Sequence, residues 1–191
     1  MEAFLVSAGV VALAEIGDKT QLVALVLAAR FKQPVPIIVG IAVATLVNHT
    51  IAGIVGAWLA SVLGPTVLRW ILGLSFIGIA VWLLIPDRVD SAHVARARYG
   101  VFVTTLVTFF LAEMGDKTQI ATVALAARFQ DLYAVVAGTT IGMLIADVPA
   151  VLFGERIARS LHPRVVHAVA AAIYLALGVL VLSSGGIAGH E

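Results

Sequence analysis

Two ten-residue strings, LAEIGDKTQL at 13–22 and LAEMGDKTQI at 111–120, set two acids and a lysine inside otherwise apolar runs. Those runs are long enough to cross about 30 Å of hydrocarbon at about 1.5 Å per helical residue. A charge at the centre of a span costs about 2.5–3.5 kcal/mol on insertion scales. Glu15, Asp18, Lys19, Glu113, Asp116 and Lys117 facing lipid would therefore cost about 15–20 kcal/mol. That rivals the whole stability of a typical domain. The six side chains must face a bundle interior or a wet cavity and must largely compensate one another, and any fold open to this chain has to provide that.

The rest of the sequence agrees with a membrane setting. Of 191 residues, 61% are hydrophobic and 12% charged, about half the charge of a soluble domain. A net charge of +1 with no dense basic patch argues against nucleic acid as a partner. The absence of cysteine excludes disulfides and thiolate metal sites. The opening MEAFLVSAGVVALA has no Lys or Arg before Lys19, so it reads as the start of a retained membrane helix and not as a secretory signal. No soluble domain is expected before or after the apolar segments.

Six segments qualify as spans, at roughly 3–30, 34–60, 66–86, 100–128, 132–153 and 165–186. Turn and interface residues separate them, and the longest separator, 87–99, is the only expected hinge. Reading the loops alternately, one side collects Arg30, Lys32, Arg88, Arg96, Arg98, Arg156, Arg159 and Arg164, and the other only Arg69 and Arg128. By the positive-inside rule the first side is cytoplasmic, which puts both termini outside.

A shift of 98 residues lays AEIGDKTQLVALVLAARF (14–31) on AEMGDKTQIATVALAARF (112–129), with twelve of eighteen positions identical. The register continues with Gly40 on Gly138 and Gly56 on Gly154. Three spans per half is an odd number, so the second half enters the membrane upside down. The expected fold is thus an all-α membrane protein of six transmembrane helices arranged as two inverted three-helix repeats. Residues 1–86 form the first repeat, 87–99 a cytoplasmic linker and 100–191 the second, together one integral membrane domain. Inverted repeats are the usual architecture of secondary transporters, with the site at the repeat interface near the midplane.

On a continuous helix Glu15 and Asp18 share a face, and Glu15 and Lys19 stand at i and i+4 in the favourable order for an ion pair. That pairing leaves Asp18 and Asp116 as the uncompensated acids. Gly17 lets the backbone approach a neighbour or break and expose carbonyls, and Thr20 and Gln21 add neutral oxygens. The same reading holds for Gly115, Thr118 and Gln119. If the repeats meet, Glu15, Asp18, Glu113 and Asp116 make an oxygen-rich, sulfur-free cage. Such a cage suits a hard divalent cation such as Ca²⁺, Mn²⁺ or Mg²⁺. The alternative is that each motif is a self-neutralised bridge tying helices together. Asn48 and His49 also fall mid-span, and His49 lies on Asp147 in the repeat register; all three are candidates to line the pathway, and His49 and Asp147, which can titrate, to relay protons. The small-residue spacings GIAVA (40–44) and GTTIG (138–142) permit close helix crossing within the chain.

Two copies of E-x-G-D-K-T, each in the first span of a three-span half, resemble the GDT family of membrane cation transporters. That family includes the Golgi calcium/manganese transporter of eukaryotes and bacterial manganese exporters. The resemblance covers essentially the whole chain. It implies transport of Mn²⁺ and/or Ca²⁺ in exchange for protons, with the motif acids as ligands, no enzymatic activity and no cofactor. It carries over onto Glu15, Gly17, Asp18, Lys19 and Thr20, and onto Glu113, Gly115, Asp116, Lys117 and Thr118. The short loops and bare termini look like a bacterial member, which implies manganese efflux across a plasma membrane. A cation channel and a small organic-solute exporter remain as alternatives. So does an intramembrane aspartyl protease, although a lysine beside each aspartate opposes the shared proton that such a dyad needs.

Overall fold

The computed structural model describes residues 1–85, 100–154 and 163–184, and all regular structure among them is helical. The helices are α1 (Glu2–Glu15), α2 (Lys19–Phe31), α3 (Pro34–Val62), α4 (Pro65–Leu83), α5 (Val101–Glu113), α6 (Lys117–Phe129), α7 (Leu132–Phe153) and α8 (Pro163–Ser183). The linker expected at 87–99 lies outside the described residues. Local chemistry explains the starts. Proline opens α3 and α4, where its missing N–H costs nothing. The Asp131 carboxylate accepts the Ala134 N–H at 3.1 Å and caps α7.

Four helices are long and apolar enough to cross a membrane: α3, α4, α7 and, over Arg164–Ser183, α8. The spans expected as continuous at 3–30 and 100–128 are instead each two helices joined by a three-residue break. The cause is local. Gly17 has φ +85° and Gly115 φ +77°, a region that residues with a Cβ rarely adopt. Beside them Ile16 and Met114, then Asp18 and Asp116, are extended, so no i→i+4 ladder runs through. The order of helix, break, helix and two longer helices therefore occurs twice, 98 residues apart.

The two halves interlock. The chief partner of α1 is α7, α5 packs on α3, and α4 packs on α8. Small residues make these approaches possible, as their spacing predicts. A Cβ on Gly138 would stand 2.5 Å from the Phe4 carbonyl oxygen, and one on Gly142 2.5 Å from that of Ala8. In the matching position, a Cβ on Gly40 would stand 2.8 Å from Thr105 Cβ on α5. In lipid, such backbone proximity does what the hydrophobic effect does in water.

Two apolar clusters support the centre. One joins Val10 and Ala14 of α1 to Leu72 and Phe76 of α4, Leu125 of α6 and Tyr174 of α8. The other joins Leu27 of α2 to Ile37 and Ile41 of α3, Phe109 of α5 and Val151 of α7. The first broken segment thus runs from the first cluster to the second, and the other broken segment runs the opposite way. On α3 the polar residues Thr45, Asn48 and His49 are buried, whereas Val47, Ile51, Ile54 and Trp58 are exposed. That is the distribution expected when the solvent is lipid.

Gly142→Val would wedge α1 from α7 and is expected to cost about 1–3 kcal/mol. It should lower the thermal unfolding midpoint of the purified protein in detergent; an unchanged midpoint would contradict this packing.

Candidate cation site

The breaks are built by the motif residues themselves. Glu15 ends α1, and its carbonyl accepts the Asp18 N–H at 2.9 Å; Glu113 and Asp116 repeat this at 3.0 Å. The Gln21 amide oxygen accepts the Gly17 N–H at 2.9 Å, while its Nε2 donates to the Ala146 carbonyl on α7 at 3.0 Å. Gln119 does the same for Gly115 at 2.8 Å and reaches Asn48 Oδ1 on α3 at 3.5 Å. Each glutamine thereby satisfies a backbone donor that the break releases and ties the break to the long helix of the other half.

The charges pair across the halves. Lys117 Nζ lies 2.8 Å from Asp18 Oδ1, and Lys19 Nζ lies 2.9 Å from Asp116 Oδ1. This corrects two expectations: Lys19 does not pair with Glu15, and Asp18 and Asp116 are not the uncompensated acids. The i, i+4 proximity exists only on a continuous helix, and the break at Gly17 removes it. The pairs differ in surroundings, because the Lys19 side chain is 29% exposed and that of Lys117 only 1%. The centre is closer to the surface on its Lys19 side.

Carboxylate oxygens of Glu15, Asp18 and Asp116 lie within 4.8 Å of one another, and all three residues are buried. Glu113, the fourth acid of the expected cage, stands apart from this trio. It accepts a hydrogen bond from Thr45 Oγ1 at 2.8 Å and another from Asn48 Nδ2 at 3.4 Å. Asn48 Nδ2 also donates to the Phe110 carbonyl at 3.0 Å. Thr118 Oγ1 donates to Asp116 Oδ2 at 3.2 Å, while Thr20 is buried with its hydroxyl unbonded among the described residues. Asp147 is buried within electrostatic reach of Glu15, Asp18 and Glu113, neither of its oxygens hydrogen-bonded among the described residues. His49 is also buried, with neither ring nitrogen hydrogen-bonded among the described residues.

Five buried acids thus face two lysines, an excess of three negative charges when all are ionised. Burying such an excess is costly unless cations or protons compensate it. The trio offers oxygen donors alone, which fits a hard or borderline divalent cation. Thr45 was absent from the residues that the sequence singled out. Its signal was available: it stands one turn before Asn48, at i and i+3, and so on the same helical face.

Lys117→Met is expected to cost about 3–5 kcal/mol by stranding a buried partner. Lys19→Met should cost less, since solvent screens that pair. Thermal midpoints of the two variants in detergent would test this; equal losses would contradict the asymmetry.

A family model described as "Divalent cation/proton antiporter GDT1" matches residues 3–91 and 101–187. A Vibrio cholerae protein, provisionally named a manganese exporter, is 45% identical over 180 residues, covering 94% of this chain and 90% of that protein. A GDT1-like protein of Synechocystis is 27% identical over 207 residues, covering 94% and 96%. GDT1-like protein 3 of Arabidopsis thaliana is 34% identical over 79 residues, 41% of this chain and 27% of that one. No solved structure matches the chain significantly.

Proposed function

We propose that this chain, which belongs to the GDT1 family of divalent cation/proton antiporters, exports Mn²⁺ from the cytoplasm in exchange for protons. The observation that carries the reading is the trio Glu15, Asp18 and Asp116, in which acids from both halves meet within 4.8 Å. A site shared between halves is remade whenever the halves move against each other, which is what alternating access requires. Manganese is preferred over calcium on the provisional name of the Vibrio cholerae relative.

In this mechanism Glu15, Asp18 and Asp116 hold the cation, with Glu113 beside them as the fourth motif acid. Lys19 and Lys117 offset two of the five acid charges in the empty centre and yield as the cation arrives. Gly17, Thr20, Gln21, Gly115, Thr118 and Gln119 shape the two breaks, and Asn48, His49 and Asp147 line the pathway. Cation and protons compete for the same carboxylates, so protonation from outside releases the metal and deprotonation inside lets the site load. The acid excess of three is what makes such competition productive: a divalent cation compensates part of it, and protons can do the same.

The membrane arrangement proposed is six spans in two inverted repeats, 1–86 and 100–191, joined by a cytoplasmic 87–99 linker. Both termini face away from the cytoplasm of a bacterial plasma membrane. Support comes from the eight-to-two division of basic residues between alternate loops. It comes also from the opposite order in which the two broken segments join the apolar clusters. An aspartyl protease fits less well, because Asp18 and Asp116 each face a lysine at 2.8–2.9 Å, whereas a proteolytic dyad shares one proton.

The test is ⁵⁴Mn²⁺ uptake into inverted membrane vesicles with and without an imposed pH gradient. Uptake should require the gradient, and Asp18→Asn or Asp116→Asn should lower it by about a hundredfold or more, the loss expected when a charged ligand of about 3 kcal/mol is removed. Parental rates in both variants would refute the site.

A further inference from the structure

The two motif glutamates occupy the same register position, yet their surroundings differ. Glu113 is held by Thr45 and Asn48 of α3, at 2.8 and 3.4 Å. In the 98-residue register Thr45 falls on Met143 and Asn48 on Ala146. Neither counterpart carries a side-chain hydrogen-bond donor, and no hydrogen bond reaches either oxygen of Glu15 from the described residues. Glu15 stands within the carboxylate trio and Glu113 does not. Two substitutions on the long helices therefore break the symmetry that the motifs themselves preserve.

We propose that Thr45, assisted by Asn48, is a positioning residue for transport: it holds Glu113 out of the ligand set, so that the cation meets three carboxylates and not four. The inference rests on the cation-antiport reading above and deepens it. The physical reason is release. Each further carboxylate tightens the hold on a hard cation, and an exporter must let its cation go on every cycle. A hydrogen bond to a charged acceptor is among the stronger ones in a protein, and in a buried centre it fixes the acceptor's direction as well as its energy. The Asn48 amide links this restraint to the second break, because its Oδ1 accepts from Gln119 Nε2 and its Nδ2 donates to the Phe110 carbonyl.

The experiment uses the full chain in proteoliposomes, with Mn²⁺ and an imposed pH gradient. Thr45→Val frees Glu113 to join the trio, so KM for Mn²⁺ should fall about tenfold, the equivalent of one charge-assisted hydrogen bond. In the same variant kcat should fall, because release slows. Thr45→Ser keeps the hydroxyl and should restore both parameters. In a Glu113→Gln background, Thr45→Val should leave Mn²⁺ affinity, read by calorimetry on the purified protein, where Glu113→Gln alone puts it. A KM that is unchanged or raised in Thr45→Val overturns the proposal, as does a Thr45→Val effect of full size in the Glu113→Gln background. If Thr45→Val does not reach the membrane, Asn48→Ala reads the same restraint and must lower KM; an unchanged KM there overturns it too. A parental protein that moves no Mn²⁺ would instead defeat the antiport reading, so the two failures are separable.

Discussion

Two ion pairs that cross between the halves, Asp18 with Lys117 and Asp116 with Lys19, are the constraint on which the rest of this structure depends. In a medium without water, an unmatched lysine or aspartate is too costly to bury alone. With its helix broken, each half has its aspartate paired by the lysine of the other half. Each half therefore completes the other, and the close approaches of α1 to α7 and of α5 to α3 follow. The helix break, the cross-half packing and the charge pairing form one arrangement.

That dependence explains how much the sequence reveals. The helical class, the internal repeat and the buried polar motifs were legible, because apolar length, a 98-residue register and the cost of charge in lipid are properties of the chain alone. The close crossings at Gly40, Gly138 and Gly142 were legible for the same reason. The pairing of charges was not. Spacing arguments assume one continuous helix, and a single residue with positive φ at Gly17 or Gly115 cancels that assumption. Once the helix breaks, the nearest lysine to an aspartate is no longer set by spacing in sequence but by which helices pack, and that is a tertiary fact. Thr45 escaped notice because a threonine on an apolar helix commonly bonds its own backbone. Here its hydroxyl is directed to Glu113 on another helix.

The asymmetry of the centre ties its chemistry to transport. A perfectly symmetric site would present two equivalent faces and four equivalent carboxylates. This one has a lysine near the surface on one side and a buried lysine on the other, and a glutamate that takes no hydrogen bond from the described residues on one side and a hydrogen-bonded one on the other. Such a difference between two repeats gives the structure a direction. That difference sits where α3 meets the second break through Thr45 and Asn48, and where Asp147 of α7 lies within electrostatic reach of Glu15, Asp18 and Glu113. In the proposed cycle the motifs supply the donors, and Thr45 and Asn48 of α3 set how many act together.

The most direct test of the central claim, a cation site shared by both halves, is crystallographic. Anomalous diffraction at the manganese edge from crystals soaked in Mn²⁺ should reveal one peak bounded by carboxylate oxygens of Glu15, Asp18 and Asp116. A peak coordinated by the residues of one half alone, or one lying away from both breaks, would contradict it.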